Sequence, residues 1–196
     1  ALPISFTMIV AETLGLRYED VHVHSGDTDF GIDLGAYSSR QTLMTGHAVK
    51  RAAEDLKRQI LDVLAAEFKI PSGDMDIKES CIVFKNEPPD FSDIRIKYIK
   101  EHRGWLDHPE GDRLTFREAA RIVYLKKGVI VGGGAYKPDE LGGQFKGASV
   151  GTSPAYSCSA VVAEVTVDEE TGQVTVDKLT DAHDCGFAIN RTNVEG

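Results

Sequence analysis

The sequence predicts an α+β fold in which mostly antiparallel β-strands pack with one long and two shorter helices, and three observations carry that prediction. Between Thr42 and Phe68 the apolar residues Ala48, Val49, Ala52, Ala53, Leu56, Ile60, Val63, Leu64 and Phe68 recur at three- and four-residue steps. This is the period of a helix that packs one stripe on a core. Residues 160–167 and 173–179 each alternate apolar and polar side chains around the turn sequence Asp168-Glu169-Glu170-Thr171-Gly172, the pattern of a β-hairpin. Helical and strand-like runs do not alternate as βαβ units, which argues against a doubly wound parallel sheet.

In chain order, Ile4 to Gly15 reads as a short helix closed by its glycine, and Asp20 to His24 alternates like a strand. Ser25-Gly26-Asp27-Thr28-Asp29 is a turn-rich exit, and the long helix follows a loop at 33–41. Gly46 lies early in that helix and costs about 1 kcal/mol relative to alanine, a cost that tight packing against a neighbouring element or close approach of a ligand would explain. Pro71-Ser72-Gly73-Asp74 ends the helix with turn chemistry. Met75 to Ile77 and Ile82 to Phe84 form a strand pair around Glu79-Ser80, and residues 86–113 read as an insertion. Thr115 and Glu118 are spaced as a capping box opening a helix to about Lys127. Val129 to Tyr136 reads as a strand, with close backbone packing as the reason for Gly132-Gly133-Gly134, and a further strand begins near Thr180. No internal repeat divides the chain, so residues 1–196 are read as one partial domain.

The 196 residues carry 22 Lys+Arg against 31 Asp+Glu, a net charge of −9, which opposes binding to a polyanion in the absence of a basic patch. The densest basic stretch, Arg95 to Arg103, is interrupted by acidic residues, so nucleic acid is not an expected partner. No run of apolar residues approaches the ~18 needed to cross a bilayer. Cys81, Cys158 and Cys185 are odd in number and lack zinc-like spacing, so they read as small buried hydrophobes of a reduced, cytoplasmic protein. The absence of an initial Met and the abrupt end at Gly196 suggest truncation at both ends.

Candidate chemistry concentrates at Gly35-Ala36-Tyr37-Ser38-Ser39-Arg40-Gln41-Thr42, where loop becomes helix. The first four N–H groups of a helix lack intrahelical partners and sit at the positive end of its dipole. Two hydroxyls, the forked guanidinium of Arg40 and the amide of Gln41 would complete a seat for the phosphate-bearing part of an organic cofactor. A plain serine N-cap followed by a surface arginine is the alternative. His22 and His24 share one face of the expected strand, but two imidazoles are an incomplete metal shell, and no metal residues are assigned. His183-Asp184-Cys185 cannot act as a relay, because consecutive strand residues point to opposite faces. The triple glycine does not follow the dinucleotide-binding pattern.

Several separated segments share one resemblance. Ala11-Glu12-Thr13-Leu14-Gly15-Leu16, Gly26-Asp27-Thr28-Asp29, the 35–42 segment, Ala163-Glu164-Val165 and Asp184-Cys185-Gly186-Phe187-Ala188-Ile189-Asn190 resemble the molybdopterin-binding large subunit of the xanthine dehydrogenase and aldehyde oxidase family. Residues 33–42 and Thr152-Ser153-Pro154-Ala155-Tyr156-Ser157 look most like the 4-hydroxybenzoyl-CoA reductase branch, which removes a phenolic hydroxyl reductively. The resemblance implies a molybdenum centre on a pterin dithiolene, as a cytosine dinucleotide in bacteria. It also implies iron-sulfur clusters and FAD on partner subunits of a hetero-oligomer, and an aromatic or aryl-CoA substrate. It places the cofactor against Tyr37, Ser38, Ser39, Arg40, Gln41 and Thr42. No catalytic residue carries over, since the family's glutamate base belongs to a Gly-Glu motif beyond this stretch, and the isolated chain is expected to be catalytically silent. Asn190-Arg191 departs from the Asn-Pro common in the family. An oxidative relative acting on an aldehyde or N-heteroaromatic ring, and a non-catalytic subunit-contact module, are the alternatives.

Overall fold

The computed structural model describes residues 2–27, 29, 35–36, 40–92, 113–137 and 157–195. The chain divides into two compact units, 1–137 and 138–196.

The first unit opens with α1 (Leu2–Leu14). Gly15 ends it with φ 79°, and the amides of Gly15 and Leu16 both donate to the Ala11 carbonyl at 2.8 Å. The expected strand at 20–24 is not formed. Tyr18–Asp20 is instead a 3-10 turn, and 21–25 run on without a strand partner among the described residues. Alternation alone specifies a face, whereas a strand also needs a neighbour to take its backbone hydrogen bonds.

The long helix, α2 (Gln41–Phe68), forms as the apolar period requires and stops at Lys69, whose backbone is left-handed at φ 57°. A 3-10 turn at Ser72–Asp74 leads into β1 (Met75–Lys78) and β2 (Cys81–Phe84), an antiparallel pair joined through Glu79-Ser80 as expected. Leu114–Thr115 adds a short β3 beside β2. From Thr115 the chain enters α3 (Phe116–Lys127) through a complete capping box. The Thr115 hydroxyl accepts from the Glu118 amide at 3.2 Å, and the Glu118 carboxylate accepts from the Thr115 amide at 2.8 Å.

The core lies where the C-terminal half of α2, the small sheet and α3 meet. Leu64, Ile77, Leu114 and Val123 are fully buried, and Ile60, Val63, Phe68, Met75, Ile82, Phe91 and Ile122 surround them. Phe68, Phe84 and Phe91 form an aromatic cluster with centroids 5.7–6.3 Å apart. α1 packs along α2, and Gly46 is where they approach most closely among the glycines. A Cβ there would stand 3.3 Å from Ile9 Cδ1, which accounts for the glycine by helix packing.

Residues 129–136 are extended but pair with no described strand, contrary to the expected ladder. They lie along α2 as a strap. A Cβ on Gly132 would come within 2.2 Å of the Ala52 carbonyl oxygen and one on Gly134 within 2.2 Å of the Ala48 carbonyl oxygen, so only glycine lets the two backbones touch. The glycine run therefore serves close packing, as its sequence suggests, although against a helix and not within a sheet.

In the second unit β4 (Cys158–Val167) and β5 (Val174–Asp184) form the expected hairpin. The strand begun at 174 continues through Thr180 to Asp184, so no separate strand starts there. A register shift beside Glu164 and Val165 leaves Asp177 as the extra residue, and its carboxylate accepts from the Thr166 hydroxyl. The Asp168 carboxylate accepts from the amides of Glu170 and Thr171 at 2.9 and 2.8 Å, which organises the acidic turn. A five-residue helix, α4 (Arg191–Glu195), follows. The basic stretch 95–103 and the core of the 86–113 insertion lie outside the described residues.

Candidate functional site

Of the six residues expected to contact a cofactor, Arg40, Gln41 and Thr42 are described, while Tyr37, Ser38 and Ser39 lie outside the described residues. Arg40 is the residue before the helix. Its backbone is already helical at φ −81° and ψ −23°, and its carbonyl accepts the Met44 amide at 2.8 Å, the first turn of the helical ladder. Arg40 makes no side-chain capping bond, because a guanidinium carries donors and no acceptor. The first turn of α2 holds no acidic residue either.

This is the reverse of an ordinary helix start. Asp, Glu, Ser and Thr favour that position because they accept from orphan N–H groups and offset the positive dipole end. A half-buried arginine instead places a cation there, beside the positive end of the helix dipole. Such an end is stabilised by an external anion. Gln41 is committed in part to its own helix, its Oε1 accepting from the Thr45 hydroxyl, and Thr42 is exposed. The described residues therefore suit the phosphate portion of a cofactor, with Arg40 as the cation and the first-turn amides as neutral donors.

The other sequence candidates do not assemble. Among the described residues no group of three or more His, Cys, Asp or Glu is placed to hold a metal, which includes the His22 and His24 region. Cys158 and Cys185 are exposed and Cys81 is half-buried, so the expectation of three buried thiols is corrected. The hairpin is exposed along its length, which puts Cys158 and Cys185 in the open with it. His183 lies opposite Ser159 and Asp184 opposite Cys158, so they occupy different faces of the hairpin. No described helix is long and apolar enough to span a membrane.

Sequence reasoning missed the polar side of α2. Arg51 and Asp55 belong to the face away from the apolar stripe, and they grip the strap. Arg51 Nη1 donates to the Ala135 carbonyl at 2.7 Å and its guanidinium lies 5.1 Å from the Tyr136 ring centroid. Asp55 accepts from the Gly133 amide at 3.2 Å, Gln59 Nε2 donates to the Val131 carbonyl at 3.0 Å, and His47 stacks on Tyr136 with centroids 4.4 Å apart. The Gly133 amide, followed by Arg58 and Gln59, holds the Asp55 carboxyl below the usual carboxylate range. The available signal was the i, i+4 spacing of His47, Arg51, Asp55 and Gln59.

Comparison with known proteins gives a consistent answer. Residues 2–196 match the family described as "Molybdopterin cofactor-binding domain". The chain is 30% identical over 186 residues to the Escherichia coli K12 protein named "Probable hypoxanthine oxidase XdhD", covering 94% of this chain and 16% of that one. It is 28% identical over 197 residues to the xanthine dehydrogenase molybdenum-binding subunit of Escherichia coli O157:H7, covering 97% of this chain and 22% of that one. In three dimensions it resembles quinoline 2-oxidoreductase from Pseudomonas putida 86, with a TM-score of 0.70 and 18% identity over 98% of this chain and 21% of that one. The chain thus spans about a fifth of the length of these relatives.

Proposed function

The chain belongs to the molybdopterin cofactor-binding domain family, and from that premise we propose that it holds the anionic tail of a molybdenum cofactor at the start of α2. The observation carrying this reading is the opening of α2, where the cation Arg40 stands in place of an acceptor cap and no acid follows in the first turn. When bound, the cofactor supplies the two-electron redox centre of a molybdenum oxidoreductase. The residues of this chain bind and orient it. Arg40 offsets the charge of its phosphate groups, the amides of the first turn donate to their oxygens, and Ser38, Ser39 and Thr42 add hydroxyls. A dinucleotide form would present two such phosphates.

For the whole enzyme we favour oxidative hydroxylation of an N-heteroaromatic ring. The relatives are named for hypoxanthine, xanthine and quinoline, all rings of this class. The second reading is reductive dehydroxylation of an aryl-CoA thioester such as 4-hydroxybenzoyl-CoA, supported by the wording of Ala36 to Thr42 and of Thr152 to Ser157. Iron-sulfur and FAD subunits would complete the electron path in either case.

Replacing Arg40 by alanine in the enzyme that carries this chain tests the site. Molybdenum content after gel filtration is expected to fall about tenfold or more, since a charge-assisted contact contributes roughly 1.5–3 kcal/mol. Unchanged content and activity would remove the assignment. Assaying that enzyme with an N-heteroaromatic ring and an electron acceptor, against an aryl-CoA thioester and a low-potential donor, separates the two substrate classes.

A further inference from the structure

Among the described residues, the main apolar cluster meets α2 well away from the end that carries Arg40. Its first buried α2 member is Ile60, with the partly buried Leu56 packed against it, and before Ile60 only Gly46 and Ala53 of the helix are buried. At about 1.5 Å per residue, Gln41 lies roughly 28 Å along the axis from Ile60. Among the described residues, two elements hold that span. On one side is α1, through Gly46 against Ile9 and through Lys57 Nζ, which donates to the Thr13 carbonyl at 3.3 Å. On the other is the strap. With about 100° per residue, Gly46 and Lys57 lie within about 20° of each other, whereas Ala48, Arg51, Ala52 and Asp55 centre about 180° away. The span is sandwiched.

The strap also grips in register. Moving from Val131 to Gly133 to Ala135, its polar partners step from Gln59 to Asp55 to Arg51, and Tyr136 then meets His47. Four helical residues rise about 6.0 Å and two extended residues about 6.6 Å, so each second strap residue meets each fourth helix residue without stretching either backbone. Gly132 and Gly134 fall between the polar contacts, where the backbones touch. Sliding the strap by one residue would bring a side chain where a glycine now stands, Val131 against the Ala52 carbonyl in one direction or Ala135 against the Ala48 carbonyl in the other. A single axial position results.

We propose that Arg51 and Asp55 are positioning residues for the cofactor seat, holding the strap in register so that α1 and the strap together fix the direction of the Arg40–Thr42 end of α2. This rests on the cofactor reading given above. It differs from that reading in naming residues two to four turns away that touch no cofactor.

The test follows cofactor release from the loaded enzyme by molybdenum content over time, a readout independent of turnover. Arg51→Met is expected to speed release about tenfold and to speed exchange of the Gly133 amide. Arg51→Lys, which keeps a donor and a cation over Tyr136, is expected to stay within about threefold of the unsubstituted enzyme. Asp55→Asn, close in shape, provides the second variant if Arg51→Met does not fold, with faster release expected. Release unchanged in Arg51→Met and Asp55→Asn, while Arg40→Ala releases quickly, would overturn the positioning role and leave the cofactor seat standing. Release unchanged in all three would overturn both.

Discussion

Glu79 and Ser80 both adopt left-handed backbone, with φ of 49° and 58°, in the two-residue turn between Lys78 and Cys81. Turns of this shape favour Asn-Gly, since other residues crowd their own Cβ there. Ser80 is retained by its contacts. Its hydroxyl donates to Asp20 at 2.5 Å and accepts from the Arg17 amide at 2.9 Å, which ties the hairpin to the chain after α1. Glu79 has no such contact among the bonds described here. Glu79→Gly should therefore raise the denaturation midpoint by the equivalent of about 0.5–1 kcal/mol, whereas Ser80→Gly should show a smaller gain or a loss because its two bonds disappear. The opposite case is Gly134. A Cβ placed 2.2 Å from the Ala48 oxygen forces the strap outward, so Gly134→Ala should cost about 1–3 kcal/mol in denaturant titration.

At the scale of elements, local chemistry decides where helices begin. The Thr115–Glu118 box satisfies amides reciprocally, and Glu118 is itself buried, so this cap is held firmly. Thr115→Ala should lower stability by about 1 kcal/mol, read from the thermal midpoint. Both this helix and α2 were legible from sequence, since their apolar period and their start or stop residues agree. The hairpin was legible for the same reason, as alternation and turn chemistry coincide at 158–184. Segment 20–24 alternates and segment 129–136 opens on an apolar run, and both were misread as strands because the partners of their backbones were not predictable. The latter uses its carbonyls and amides on Arg51, Asp55 and Gln59, side chains 72 to 84 residues away in sequence.

Across the whole molecule, acid stability follows from carboxylates held in the folded state. The Asp76 carboxyl is pushed up by partial burial, but the ion pair with Lys57 at 2.6 Å and the Ile77 amide outweigh this and bring it below its ordinary value. Asp20 is lowered by the Ser80 hydroxyl and by Arg17, and Asp55 by the Gly133 amide first. A depressed folded value means these groups stabilise fully above the unfolded value of about 3.9, and lose that contribution as pH falls through the lower folded value. The thermal midpoint should decline below about pH 4 as these carboxyls take up protons. Asp76→Asn should flatten that acid limb; an unchanged limb would remove Asp76 as a contributor. The two-stranded β4–β5 unit is exposed throughout, and such a hairpin alone is marginally stable. Its amides should exchange well ahead of those at Ile60–Phe68 in hydrogen-exchange measurements.

Residue order by itself determined the family resemblance, the long helix, the capped helix and the two hairpins, because each depends on contacts a few residues apart or on a periodic face. It also pointed to the donor-rich opening at Arg40. Only the tertiary structure decided that the glycine run lies on a helix, that Arg51 and Asp55 grip it, and that the thiols of Cys158 and Cys185 are exposed. These depend on which distant backbone arrives beside a given side chain, and the period of a single segment carries no information about its partner.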